Sequence, residues 1–117
     1  MDIQSVRLLL DYGADPNALY NNMSLLSYAA KNSDFQIMKM LLDAGADVHL
    51  GDPQPLETVI NYGSRVCLAA LLNGNDDLLT PIKGKLPIQI ALEAQTPLLS
   101  VIAVYTKRQI DEKKQQK

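Results

Sequence analysis
The chain has 117 residues, 47% hydrophobic and 21% charged, with six glycines and six prolines, which suits one compact domain rather than a collagen-like or disordered polymer. One cysteine, one histidine, five Tyr, one Phe and no Trp exclude an internal disulfide and leave a zinc site or a base-stacking nucleic-acid platform poorly supplied. The formal charge of −2 is uneven, because residues 107–117 hold five basic against two acidic groups, so the acidic remainder would repel a phosphate backbone and no nucleic-acid partner is expected.

In chain order, Asp2 stands where a first helix would start, and Val6, Leu9 and Leu10 form its apolar stripe. Leu9-Leu10-Asp11-Tyr12-Gly13-Ala14-Asp15-Pro16-Asn17 then recurs 32 residues later as Leu41-Leu42-Asp43-Ala44-Gly45-Ala46-Asp47-Val48-His49. A worn third copy follows a further 30 residues on, at Leu71-Leu72-Asn73-Gly74-Asn75-Asp76-Asp77. Such a period is the signature of stacked structural units.

The second helix is predicted over Ser24 to Ala30, and the third starts behind Asp34 with the stripe Ile37, Met38, Leu41 and Leu42. Gln54 to Ile60 repeats the second helix, and Ser64 opens the next stripe, Cys67, Leu68, Leu71 and Leu72. Leu86 to Leu92 repeats it again, before Thr96 and Pro97 begin the last helix, with Pro97 at the first helical position. Asp2, Asp34, Ser64 and Thr96 are expected to cap their helices through side-chain oxygens. Gly13 and Gly45, with Asn75, supply the left-handed residue that ends a helix. The last helix turns polar at Thr106-Lys107-Arg108-Gln109, so residues 107–117 read as a solvated basic tail.

These residues resemble the ankyrin repeats. Leu41 to His49 is similar to the segment of that family leading from helix to hairpin, and Gln54-Pro55-Leu56-Glu57 is similar to its Thr-Pro-Leu-His opening. The resemblance implies an all-α solenoid of stacked helix-turn-helix units joined by short hairpin loops. It divides the chain into a half repeat at 1–17, repeats at about 18–49, 50–79 and 80–106, and the tail 107–117. Ser27, Glu57 and Gln89 occupy the usual histidine position, which puts the inter-repeat hydrogen bonds of that residue in doubt. Val59-Ile60 and Ala91-Leu92 replace a small Ala-Ala pair, and the short connection from Asp47 to Pro55 implies a stunted second hairpin. The half repeat has no inner helix of its own. Its open side is expected to be the cut edge of a fragment of a longer repeat protein, with self-association through residues 1–12 as the alternative.

No residue set points to catalysis. The glycines form no phosphate-cradling motif, Cys67 sits on an apolar stripe, and His49 falls at a turn. Asp15, Asp47, Asp76 and Asp77 are expected to serve loop geometry. No apolar run approaches the roughly 20 residues of a membrane helix, and Met1-Asp2-Ile3-Gln4 opens no signal peptide, so a cytoplasmic protein without membrane insertion is expected.

The resemblance implies a non-catalytic adaptor or scaffold, without cofactor or metal, that binds another protein in the concave groove. A regulatory or targeting segment of a larger enzyme or secreted effector is the alternative. The groove residues it implies are Tyr20, Asn21 and Met23, Leu50 and Asp52, and Lys83 and Lys85 at the hairpin tips. Lys31 and Asn32, Asn61 and Tyr62, and Glu93 fall at the ends of the inner helices. Tyr20 and Tyr62 are the strongest anchors, since tyrosine joins large apolar area to few rotors. Met23, Leu50 and Ile82, if exposed together, would form an apolar patch.

Overall fold
The computed structural model describes residues 3–62, 64–73 and 77–115. Asp2, Gly74, Asn75 and Asp76 lie outside these, and with them the first expected cap and the third expected helix terminator. The described elements are helix α1 (Ile3–Asp11), strands β1 (Leu19–Tyr20) and β2 (Met23–Ser24), and helices α2 (Leu25–Lys31), α3 (Phe35–Asp43), α4 (Pro55–Tyr62), α5 (Arg65–Asn73), α6 (Pro87–Ala94) and α7 (Leu99–Gln115).

Helices α2, α3 and α5 begin where a short polar side chain takes up an unpaired first-turn N–H. Ser24 Oγ accepts from Ser27 N at 3.1 Å, Asp34 Oδ1 from Ile37 N at 3.1 Å, and Ser64 Oγ from Cys67 N at 3.2 Å. Glu57 and Gln89 reach back instead, accepting from Gln54 N at 3.0 Å and Leu86 N at 2.8 Å, the return half of a capping box. Gly13 and Gly45 end α1 and α3 with φ of 89° and 93°. In both, the N–H of the following alanine donates to the carbonyl five residues back, Leu9 at 2.9 Å and Leu41 at 3.0 Å. Ser33 and Gln95 close α2 and α6 in the same left-handed region without being glycine.

The helices form two rows. Inner helices α2, α4 and α6 pack side by side, outer helices α1, α3 and α5 do the same, and α2 with α3 and α4 with α5 join the rows. Ile37, Met38 and Leu41 of α3 and Cys67, Leu68 and Leu71 of α5 are fully buried, as the stripe predicts, against Leu26, Leu56, Val59 and Ile60 of the inner row. Leu42 and Leu72 are only partly covered.

Loop polar groups tie one unit to the next. The carboxylates of Asp15, Asp47 and Asp77 accept from the N–H two residues on, at Asn17, His49 and Leu79, which gives the recurring aspartate its loop role. Asn17 Oδ1 accepts from Asp47 N at 2.6 Å, across the repeat boundary. Asp77 also accepts from Thr80 N at 2.9 Å. Burial pushes its carboxyl up, but the bonds from the Thr80 hydroxyl and from the Thr80 and Leu79 N–H groups, with Lys113 nearby, hold it below its usual value.

Among the described residues only the first hairpin forms a ladder, with Leu19 opposite Ser24 and Tyr20 opposite Met23. Asn21 and Asn22 turn it with φ of 52° and 67°, the positive values a two-residue hairpin needs. The second tip is stunted as expected: Asp52 N donates to Asn22 O at 2.9 Å, and the Asp52-Pro53 peptide is cis. The third tip has a single bridge between Ile82 and Lys85.

Two expectations at the C-terminal end are corrected. The last helix starts at Leu99, because Pro97 and Leu98 form a turn in which Leu98 N donates to Thr96 Oγ1 at 3.3 Å. Residues 107–115 are solvent-exposed, Gln109 apart, but are helical and continue α7. They are held by Gln109, whose Oε1 accepts from Leu78 N at 2.8 Å, and by Arg108 stacked 5.5 Å from the Tyr105 ring. Lys113 and Lys114 end the helix where its dipole is negative.

Leu41→Ala is expected to cost about 2–5 kcal/mol in urea or thermal unfolding, and Leu42→Ala at its half-covered position about 1–2 kcal/mol. A cost at Leu42 as large as that at Leu41 would contradict the burial pattern. Gly51→Ala should cost about 1–3 kcal/mol, since Gly51 has a φ of 91° and a Cβ there would meet Ser24 N at 2.9 Å. Because folding lowers the pKa of Asp77, its stabilisation is present above the unfolded carboxyl value and is lost as pH falls through the folded one. An Asp77→Asn variant should therefore differ most from the parent in unfolding free energy above about pH 4 and converge with it at lower pH.

Candidate partner-binding surface
The twelve residues expected to line a groove fall on the inner helices, at their ends and in the loop tips. Tyr20, on β1 at the first tip, is 65% exposed, and its ring lies 6.0 Å from that of Tyr28 on α2, tilted by 56°. Asn21 turns the hairpin, and Met23 beside it is half-buried. At the far end of α2, Lys31 is exposed and Asn32 is committed to structure, since its Nδ2 donates to Tyr28 O at 3.0 Å. One helix along, Asn61 is exposed and Tyr62 is 53% exposed.

The charged tip residues are occupied with one another. Lys83 Nζ lies 2.6 Å from Asp52 and 3.6 Å from Glu57, bridging the second and third tips. Its hydrogen bond to Asp52 and the charge of Glu57 hold the ammonium above its usual pKa. Lys85 Nζ lies 2.6 Å from Glu93 of α6. These pairs are solvent-exposed for the most part, so they fix the tips in place more than they stabilise the fold.

The apolar patch expected of Met23, Leu50 and Ile82 is not formed. Ile82 is 5% exposed, because its bridge to Lys85 turns the side chain into the core, and Leu50 and Met23 are half-buried. Leu19 and Leu92, not among the expected contact residues, are 50% and 62% exposed. Leu92 holds the position that Ala30 and Ile60 hold in the earlier inner helices, where both are buried. The signal for Leu92 was therefore its place in the last inner helix rather than its residue type.

The histidine position keeps its inter-repeat links by other means. Ser27 is buried and its hydroxyl donates to Pro53 O at 3.0 Å in the next unit, while Glu57 reaches Lys83. Cys67 is buried, and desolvation pushes its thiol up despite a bond from Ser64, the opposite of what a thiolate nucleophile requires. His49 N donates to Asp47 Oδ1 at 2.9 Å, consistent with a turn role. Among the described residues no group of three His, Cys, Asp or Glu could hold a metal ion, and no helix is long and apolar enough to cross a membrane.

Residues 2–42 match the family model described as ankyrin repeats in many copies. The chain is also similar to a Fowlpox virus (strain NVSL) protein named for ankyrin repeats, with 40% identity over 48 residues. That match covers 41% of this chain and 11% of the viral protein, so the chain spans about a ninth of the length of that relative. Beyond residue 42, stacked helix pairs, the glycine Gly45 that ends α3 and the loops closed by Asp47 and Asp77 continue the matched pattern. The chain carries ankyrin-repeat sequence over residues 2–42, and its helix pairs are consistent with stacked ankyrin repeats.

Proposed function
We propose that this chain is a non-catalytic protein-binding module, an adaptor or scaffold that holds its partner on the inner-helix and hairpin-tip face. One observation carries the reading. Tyr20 and Tyr62 stand exposed on that face, while Asp52, Lys83, Lys85 and Glu93 are tied into internal ion pairs. The tyrosines are left to supply contact area, as interface anchors do. Binding through them rests on apolar burial and on the neighbouring Lys31 and Asn61, with Asn21, Met23, Asn32 and Leu50 shaping the surface around them. The single buried thiol suits a reducing setting such as the cytoplasm. Self-association through residues 1–12 would use a different edge, that of α1, and leave this face open.

The test is affinity capture of a partner by the parent chain and by a Tyr20→Ala, Tyr62→Ala variant, both with thermal melting recorded. The variant is expected to melt within a few degrees of the parent and to bind the captured partner at least about tenfold more weakly. Equal retention by both would remove the tyrosine face from the interaction. Loss of the fold instead would make the tyrosines structural.

A further inference from the structure
The first inner helix carries a strip of two rings and a charge. In α2, Leu26, Ser27, Ala29 and Ala30 are buried, so Tyr28 and Lys31, one turn apart, lie on the side opposite the core rather than along the stack. The Tyr20 ring of the first tip leans on that of Tyr28, with centroids 6.0 Å apart and planes tilted by 56°. Two ring faces and an ammonium therefore follow one another along α2. Among the described residues Lys31 is in no ion pair, whereas Lys83 and Lys85 are bound to Asp52 and Glu93. The backbone beside the rings has little to offer a partner strand. The strand β1 is two residues long and already paired with β2, and Asn22 O accepts from Asp52 N at 2.9 Å.

We propose that this strip takes an extended proline-rich segment with an acidic residue, its proline rings lying on Tyr20 and Tyr28 and its carboxylate meeting Lys31. That choice rests on the partner-binding reading of this face and narrows it to one chemistry. Each property of the occupant answers a property of the strip. Exposed tyrosine rings offer flat apolar area, which a rigid proline ring covers with little entropy left to lose. A polyproline II backbone makes no internal hydrogen bonds and asks for no strand edge, which fits a β1 too short to template one. Lys31 is the unpaired charge of the strip, and its complement is a carboxylate. Residues one helical turn apart have Cβ atoms about 5–6 Å from each other, the rise of roughly two polyproline residues. The acidic residue accordingly stands about two positions from the proline on Tyr28.

The test titrates the full chain with three synthetic peptides, followed by backbone amide shifts. One is a run of about six prolines flanked at both ends by glutamates; the second has lysines in place of the glutamates; the third keeps the glutamates and replaces the prolines with alternating glycine and serine. The first is expected to bind with a Kd of about 10–500 µM, moving amides of residues 19–31, and the other two at least about tenfold more weakly. Tyr20→Ala and Tyr28→Ala should each weaken the first by at least about fivefold. Lys31→Glu should reverse the order of the two proline peptides, a result that no loss of fold produces. Absence of saturable binding below about 5 mM, equal binding of the glycine–serine peptide, or an unchanged order of preference in Lys31→Glu overturns the proposal. The two readings of the face fail separately. Capture that depends on Tyr20 and Tyr62 without any peptide binding overturns the proline occupant alone, whereas loss of both removes the face.

Discussion

Every level of this structure depends on apolar stripes that a single helix pair cannot cover. Ile37, Met38 and Leu41, and after them Cys67, Leu68 and Leu71, reach zero exposure only because an inner helix and a neighbouring outer helix close over them together. Fully burying such a side chain contributes about 1.5–3 kcal/mol, most of which is offset by the entropy of ordering the chain. The margin therefore lies in the stacking, and stacking demands that each stripe return at nearly the same spacing. The inner row tolerates Val59 and Ile60 where the first full unit has Ala29 and Ala30, and all four are buried.

Polar groups do a different task, setting how the units join rather than how strongly. The aspartate carboxylates close each loop, and Asn17, Ser27 and Lys83 carry bonds or ion pairs across unit boundaries. Three different side chains at the histidine position end in two solutions. Serine reaches forward to a carbonyl, whereas glutamate and glutamine cap their own helices. These ties pair the charges of Asp52, Lys83, Lys85 and Glu93 with one another.

Much of the fold was legible because it rests on local chemistry. Asp34 and Ser64 precede their helices with an acceptor, and Gly13 and Gly45 follow theirs with the residue most at ease in the left-handed region. Ser33 and Gln95 were not legible as terminators, because their strained φ is imposed by the turn around them and leaves no mark in residue type. The course of α7 was hidden for a related reason. Gln109 looks like a solvated polar residue until Leu78 N, distant in sequence, is seen to need an acceptor. At the candidate site, exposure of Tyr20 and Tyr62 followed from position in the repeat, but the inward turn of Ile82 depended on its bridge to Lys85. The ion pairs that neutralise the tips likewise join residues 31 and eight positions apart, beyond the reach of a local pattern.

Among the described elements α1 packs principally on α3, whereas α3 packs on α1, α2 and α5. In a one-dimensional stack, a unit with a single neighbour opens before the rest at a fraction of the global free energy. Amide protons of α1 should accordingly exchange with solvent while those of α3 and α5 are still protected.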